Sequence, residues 1–227
     1  MSRPAGALMV WLCAMSAPLA LAEGPAKAGG LSWEKTFGPL ATKPDLYVKA
    51  RTGDPSGGTH ALELWREGDR RLRRRTDALL EVWVEDQGAA GAPAYAVTVV
   101  DQRSHTVRRV SVERSAKLGP AFTWWPLAHL LPLPGPRYTL RKLKESVLRV
   151  GGARCEWYLY IPDGQPEQRI CWSREYAVAL RHEEKRGEGW WTRLAVESMG
   201  PLTDKEQVFH LDATGLREVP LPEPAED

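Results

Sequence analysis

Residues 59–86, THALELWREGDRRLRRRTDALLEVWVED, decide the fold because polar and apolar side chains alternate along them. Alternation with a period of two is typical of strands that bury one face, and it divides this stretch into segments 59–66, 70–76 and 80–86. The linkers between the segments are far shorter than a crossover helix would need. We therefore predict three neighbouring antiparallel strands.

The same alternation continues outward, interrupted by Gly, Pro and Asp, from residue 46 to about residue 211. The further predicted strands are 46–52, 95–101, 106–112, parts of 138–150, 155–161, 168–173, 176–182, 190–197 and 207–212. Turn residues such as Gly151-Gly152 separate many of them. The predicted fold class is mostly β: a single curved antiparallel sheet or incomplete β-barrel, with a short helical or irregular lid.

The N-terminal residues have the pattern of an export signal. Arg3 precedes an apolar run, and Ala20-Leu21-Ala22 supplies the small residues that signal peptidase requires. We predict that residues 1–22 are a signal peptide, that the mature chain begins at Glu23, and that the protein is periplasmic. The apolar run is short and interrupted by proline, so we predict no transmembrane segment in the mature chain.

The remainder of the chain divides by composition. Residues 23–44 are rich in Ala, Gly and Pro and are predicted to be a flexible lead-in, with one helical turn around residues 32–37. Residues 45–215 are the predicted folded domain, and residues 216–227 a flexible tail. The balance of 31 Lys+Arg against 29 Asp+Glu gives no field that would gather nucleic acid, so no nucleic-acid partner is predicted.

One apolar segment departs from the strand pattern. Residues 119–136, GPAFTWWPLAHLLPLPGP, are rich in proline, and Pro126 is well placed to start a short helix through Leu131. Two interpretations are open: a plug that covers the sheet, and a movable flap over a ligand cavity. The candidate ligand-binding residues are the large apolar side chains of this segment: Phe122, Trp124, Trp125, Leu127, Leu130 and Leu131.

The two cysteines beyond the signal, Cys155 and Cys171, are predicted to form a disulfide bond. The hairpin made by 155–161 and 168–173 is centred near residue 163, which places the two sulfurs opposite each other on adjacent strands. Paired cysteines are usual in exported proteins, and this spacing is too long for a redox Cys-x-x-Cys motif.

Alternation along residues 70–76 divides the arginines of this strand between two faces. Arg74 lies with Leu72 on one face, and the other face carries a candidate partner or headgroup patch made by Arg71, Arg73 and Arg75. One interpretation of this patch is a solvated face paired with carboxylates of neighbouring strands, namely Glu63, Glu81 and Glu85. The other is a docking surface for an acidic partner or a phosphate headgroup.

No motif in the sequence indicates catalysis or metal binding. The five histidines show no ligand spacing, and no glycine-rich phosphate loop is present. The nearest approach to a nucleophile elbow, Glu197-Ser198-Met199-Gly200, lacks both the first glycine and a following helix. We therefore predict that the protein is not an enzyme and has no cofactor or metal.

The order of these features resembles the bacterial outer-membrane lipoprotein-sorting (LolA-like) superfamily over about residues 45–215. The residues that carry the resemblance are LELWREGDR at 62–70, Arg73-Arg74-Arg75, Val100-Asp101, Cys155-Glu156-Trp157, and Cys171-Trp172 followed by AVAL at 177–180. The resemblance implies an incomplete antiparallel barrel around an apolar cavity, with helices as a lid. Members of the superfamily carry lipoproteins or other lipidic ligands, or sense envelope proteins.

Two functions follow from these observations. The first is non-catalytic binding of an apolar or lipidated ligand in the periplasm, with lipid or lipoprotein acyl chains as the partner. The second is an envelope assembly or interaction subunit that uses the same fold to bind an envelope protein without a ligand. Tryptophans on both faces of the predicted strands fit either plain core packing or an apolar ligand cavity.

Overall fold

The computed structural model describes residues 30–38, 43–89, 92–115 and 123–220. Its helices are α1 (Trp33–Phe37), α2 (Val112–Ser115), α3 (Trp124–His129) and α4 (Lys205–Val208). Its strands are β1 (Leu46–Gly53), β2 (Thr59–Glu67), β3 (Arg71–Thr76), β4 (Leu80–Asp86), β5 (Tyr95–Asp101), β6 (Thr106–Val110), β7 (Tyr138–Lys142), β8 (Leu148–Val150), β9 (Ala153–Pro162), β10 (Gln168–Ser173), β11 (Val178–Arg186), β12 (Gly189–Pro201) and β13 (Arg217–Glu218).

The strands form one curved sheet in the order β13-β6-β5-β4-β3-β2-β1-β12-β11-β10-β9-β7, with β8 paired to β9. Over the described ranges the sheet does not close, which confirms the predicted mostly β, incomplete barrel. One correction concerns strand direction. β13 runs parallel to β6, so the sheet is mixed and not purely antiparallel.

Most predicted strands are present within a few residues of their expected ends, but the strand expected at 207–212 is wrong. Asp204 takes the left-handed conformation, with φ 50°, and the chain then turns through α4. Phe209 and Leu211 instead line a small cavity against β3, β4 and β5. Within the segment predicted to be a tail, Arg217–Glu218 pair with β6, and Glu218 forms an ion pair of 2.7 Å with Arg109.

The protein core lies on the inner face of the sheet, the side that packs against α1 and α3. Alternate residues of the strands supply it, and their fully buried side chains include Leu46, Val48, Leu62, Leu64, Leu72 and Val84. On the neighbouring strands β2, β3 and β4, Leu64 lies opposite Arg74, and Arg74 lies opposite Val82. Arg74 therefore belongs to the inner face, as alternation along the sequence predicted.

The predicted flexible lead-in contains a helix that belongs to the core. Ser32 caps α1 by accepting a hydrogen bond from the Lys35 amide at 3.2 Å, and the helix buries Trp33 and Phe37. The Phe37 ring contacts the rings of Trp172 and Tyr158, with centroids 5.2 and 5.3 Å away. The folded unit thus includes residues before the expected boundary at residue 45, because these aromatics fill the concave side of the sheet.

The disulfide bond between Cys155 and Cys171 is confirmed, with a Cα–Cα distance of 5.3 Å. Its register differs from the expectation. Cys171 lies opposite Trp157, so the bond joins β9 and β10 diagonally and not between directly opposed residues. The reason is that the turn between these strands is centred one residue later than predicted.

Candidate functional site

The predicted lid is a short helix followed by a proline-rich loop. α3 covers residues 124–129, with Pro126 in its first turn, where the missing amide hydrogen is not needed. Leu130 ends the helix in the left-handed conformation, with φ 54° and ψ 33°. Pro132 and Pro134 follow and do not allow the helix to resume.

Buried Arg66, on the inner face of β2, ties this helix to the sheet. Its guanidinium donates hydrogen bonds to the carbonyl of Ala128 in α3 at 2.8 Å, and to the carbonyls of Ala177 at 3.2 Å and Tyr176 at 2.6 Å. Burial lowers the pKa of Arg66 to about 10, so the group stays charged at neutral pH. The lid is therefore anchored through backbone carbonyls, which are present whatever the side chains of those residues are.

His129, the last residue of α3, shares the Ala177 carbonyl with Arg66. A carbonyl can only accept, so the His129 Nδ1 carries the hydrogen. Burial, together with the nearby positive charge of Arg66, lowers the pKa of His129 to about 3. The imidazole is thus neutral at physiological pH and adds a second neutral anchor for the lid.

The main opening beside the lid is a cleft of about 590 Å³. It lies between the proline-rich loop and the inner face of the sheet, and we call it the lid cleft. Its lining is Thr52, Gly53, Leu62, Arg74, Pro126, Leu130, Leu131, Pro132, Leu133, Pro134, His182, Arg193 and Leu194. This volume is within the range of small-molecule sites, and most of the lining is apolar.

The structure separates the five candidate ligand-binding residues that it describes. Leu130 and Leu131 line the lid cleft. Trp124 stacks on Tyr95 with ring centroids 4.7 Å apart, away from that cleft. Trp125 is packed near Trp33, Trp172 and His129, and Leu127 is buried in the core. Phe122 lies outside the described residues. The cleft thus involves the C-terminal part of the segment and not its whole apolar surface.

The candidate patch Arg71, Arg73 and Arg75 lies on the outer face, opposite the lid cleft. Each of its arginines contacts a carboxylate: Arg71 with Glu67 at 2.6 Å, Arg73 with Glu81 at 3.0 Å, and Arg75 with Glu63 at 2.9 Å. Glu85 lies opposite Arg71 in the register, yet Arg71 pairs with Glu67. The geometry fits the interpretation of a face neutralised by neighbouring carboxylates.

Aromatic rings extend this outer face. The Arg73 guanidinium lies 4.4 Å from the Trp83 ring centroid and 5.0 Å from that of Trp65, and Arg71 lies 4.7 Å from Phe209. These contacts between guanidinium groups and aromatic rings explain why tryptophans occur on both sides of the sheet. Here they cover arginine side chains, whereas Trp33 and Trp172 fill the inner core.

Sequence reasoning placed Arg74 on the face of Leu72 but assigned no role to either inner-face arginine, Arg66 or Arg74. Arg66 and Arg74 alternate with leucines along β2 and β3, and this alternation was the available signal. It places a cation on a face that is otherwise apolar, which is unusual enough to indicate a role. The sequence does not show what surrounds each arginine, which is a set of backbone carbonyls for Arg66 and a cleft for Arg74.

In the part of the chain that the structure describes, no group of three or more His, Cys, Asp or Glu residues could hold a metal ion. A search of the same residues for a helix long and apolar enough to cross a membrane found none.

Two buried histidines make the stability depend on pH. Burial lowers the pKa of both His129 and His182 to about 3, whereas an unfolded histidine titrates near pH 6.5. Between these values the unfolded chain binds protons that the folded protein does not, so stability falls as the pH falls. We expect the free energy of unfolding to drop by up to about 2 kcal/mol per histidine between pH 7 and pH 5.

Urea unfolding at both pH values checks this expectation. H129Q and H182Q should each reduce the pH dependence, since glutamine does not titrate. The pKa of His60 shifts in the opposite direction, because hydrogen bonds to Asp77 and Asp54 raise it. H60Q therefore serves as the control variant. An unchanged pH dependence in both buried-site variants would contradict the assignment.

No protein-family model matches the chain, and no curated protein matches it. Among solved structures, the chain is similar to MucB in complex with MucA(peri), with 18% identity over 69% of this chain and 49% of that chain, at a TM-score of 0.36. It is also similar to the MucA/MucB complex of Pseudomonas aeruginosa, with 16% identity over 71% of this chain and 54% of that chain, at a TM-score of 0.39. The chain thus spans about half the length of these structures.

A further similar structure is described as an outer membrane lipoprotein-sorting protein domain from Vibrio parahaemolyticus. It is 12% identical over 72% of this chain and 88% of that chain, at a TM-score of 0.30. The name of this structure is that of the superfamily that the sequence resembles.

Proposed function

We propose that the protein is an exported, periplasmic, non-catalytic binding protein for an apolar or lipidated ligand, which it holds in the lid cleft. The folded domain inferred at 45–215, extended to include α1, carries this function. The observation that carries the proposal is a cleft of about 590 Å³ between a proline-broken lid and the inner face of the sheet.

Hydrophobic burial is sufficient for useful affinity at such a site. Each buried methylene contributes about 0.8 kcal/mol, so a twelve-carbon chain contributes roughly 9 kcal/mol. Association costs about 4 kcal/mol or more, which leaves about 5 kcal/mol and a Kd of a few tenths of a millimolar. Longer chains would reach the micromolar range if the lid moves outward to admit them.

The lid has the features of a segment that can move as a unit. α3 has six residues, and its attachment to the sheet includes the Arg66 and His129 contacts with backbone carbonyls. Breaking a few hydrogen bonds costs about 1 kcal/mol each, which ligand burial can offset. The plug and flap interpretations thus describe one segment before and after ligand entry.

Titration of the delipidated mature protein with dodecanoate, followed by tryptophan fluorescence, tests the proposal. We expect saturable binding that L133N weakens at least tenfold, since this side chain lines the cleft and is 37% exposed. The matched control is L79N, because Leu79 is 39% exposed and lies away from the cleft. Equal binding by wild type and L133N, or no saturable binding, would contradict the proposal.

The second candidate function is an envelope assembly or interaction subunit that binds an envelope protein. The observation that favours it is the filled centre of the inner face, where Trp33, Phe37 and Trp172 pack together. Co-purification of a stoichiometric envelope protein with a lipid-free chain would support this function over ligand binding.

A further inference from the structure

Arg74 differs from the other arginines of its strand. Arg71, Arg73 and Arg75 on the outer face each contact a carboxylate, and Arg66 on the neighbouring strand donates to three carbonyls. Among the described residues, Arg74 forms no hydrogen bond or ion pair. It is a partly buried guanidinium without a partner.

An arrangement of this kind is energetically unfavourable. Burial lowers the pKa of Arg74, yet guanidinium titrates so far above neutrality that the group keeps its charge. A cation withdrawn from water is stable only when an anion or hydrogen-bond acceptors replace the lost hydration. The inner-face position between Leu64 and Val82 offers neither.

The lid cleft is also one-sided in charge. Among the described residues that line it, the ionisable ones are Arg74, His182 and Arg193, and none is a carboxylate. His182 is neutral because burial lowers its pKa to about 3, and Arg193 pairs with Glu184 at 3.1 Å. By contrast, the groove of about 440 Å³ lined by His60 includes Glu63, Asp77 and Glu197. The lid cleft therefore combines an apolar wall with an unpaired cation, Arg74.

We propose that the ligand of the lid cleft is a long-chain carboxylate whose headgroup binds Arg74 and whose chain packs on Leu62, Leu130 and Leu194. This inference rests on the proposed ligand-binding function and specifies its ligand. One planar guanidinium matches one carboxylate through two parallel hydrogen bonds, which favours a carboxylate over a larger headgroup. Arg193 also lines the cleft, but its charge is paired with Glu184, so Arg74 is the guanidinium available to the headgroup.

The test compares probes that share a twelve-carbon chain and differ in headgroup. Dodecanoate, dodecyltrimethylammonium and dodecyl phosphate are each titrated into the delipidated mature protein, its R74Q variant and its R74K variant. We expect wild type to bind dodecanoate at least tenfold more tightly than the cationic probe. R74Q should lose this preference and R74K should retain part of it. R154Q, which removes an exposed arginine away from the cleft, should behave as wild type.

Each outcome is decisive. Binding of the cationic probe by R74Q shows that the variant is folded, so loss of the dodecanoate preference alone supports the role of Arg74. Equal wild-type binding of both probes would overturn the carboxylate inference and leave the proposed function standing. Tighter binding of dodecyl phosphate than of dodecanoate would also overturn it. No binding of any probe would contradict the proposed function itself.

Discussion

R66M is expected to lower the free energy of unfolding by about 3 kcal/mol. Three hydrogen bonds from a charged donor are lost, and each is worth about 1.5–3 kcal/mol. Removing the buried cation restores part of the lost free energy of unfolding, because the folded protein no longer has to desolvate an ion, which costs several kcal/mol. The carbonyls of Ala128 and Tyr176 lose their donor and keep the balance unfavourable, whereas the Ala177 carbonyl still accepts a hydrogen bond from His129.

The control for this substitution is R74M. Both side chains are on the inner face of adjacent strands, but Arg74 forms no hydrogen bond or ion pair in the described part of the chain. We expect R74M to change stability by less than about 1 kcal/mol, or to increase it. Urea unfolding followed by circular dichroism measures both variants. Equal losses would show that Arg66 does not anchor the lid through its hydrogen bonds.

Amide hydrogen exchange adds a local readout for R66M. If Arg66 holds α3 against the sheet, the amides of residues 127–131 should exchange faster in R66M than in wild type. Strands β4 and β6, none of whose residues bonds to Arg66 or His129, should keep their exchange rates relative to global stability. Uniform acceleration across the whole sheet would indicate general destabilisation and not release of the lid.

F37A is expected to lower the free energy of unfolding by about 3–5 kcal/mol. Phe37 is 0% exposed and contacts Trp33, Tyr158 and Trp172 within ring-centroid distances of 5.3 Å or less. Truncation leaves a cavity that these rigid rings fill only partly. K35A is the matched control, because Lys35 lies on the exposed side of the same helix, and it should change stability by less than about 0.5 kcal/mol.

Thermal and urea unfolding of F37A and K35A decide whether α1 belongs to the folded unit. If the N-terminal helix were a flexible lead-in, as its composition indicated, both variants would resemble wild type. A loss confined to F37A would place the boundary of the folded unit before residue 33.

The sheet was predictable because each strand and turn is specified by a pattern of neighbouring residues in the sequence. Period-two alternation at 59–86 and the Gly151-Gly152 turn specify strands and a hairpin without knowledge of the rest of the chain. α1 was underestimated because a five-residue helix has too few turns to show periodicity, and its stability comes from tertiary contacts of Trp33 and Phe37. The two-residue strand β13 was missed for the same reason.

The candidate site was predictable only in part. The sequence predicts a lid in the proline-rich segment, and Leu130 and Leu131 of this segment line the cleft. Trp124 and Trp125 were grouped with them because composition does not say which way each side chain of a short helix faces. The roles of Arg66 and Arg74 depend on residues far away in the sequence, such as Ala177 and Leu194, so no local pattern could provide them.

Native mass spectrometry of the mature protein, purified from its own cell envelope without delipidation, tests ligand binding most directly. We expect a population whose mass exceeds that of the chain by one lipid-sized molecule, which collisional activation releases as an anion with a long acyl chain. A chain that carries no added mass, or that carries only a stoichiometric protein, would contradict the proposed ligand-binding function.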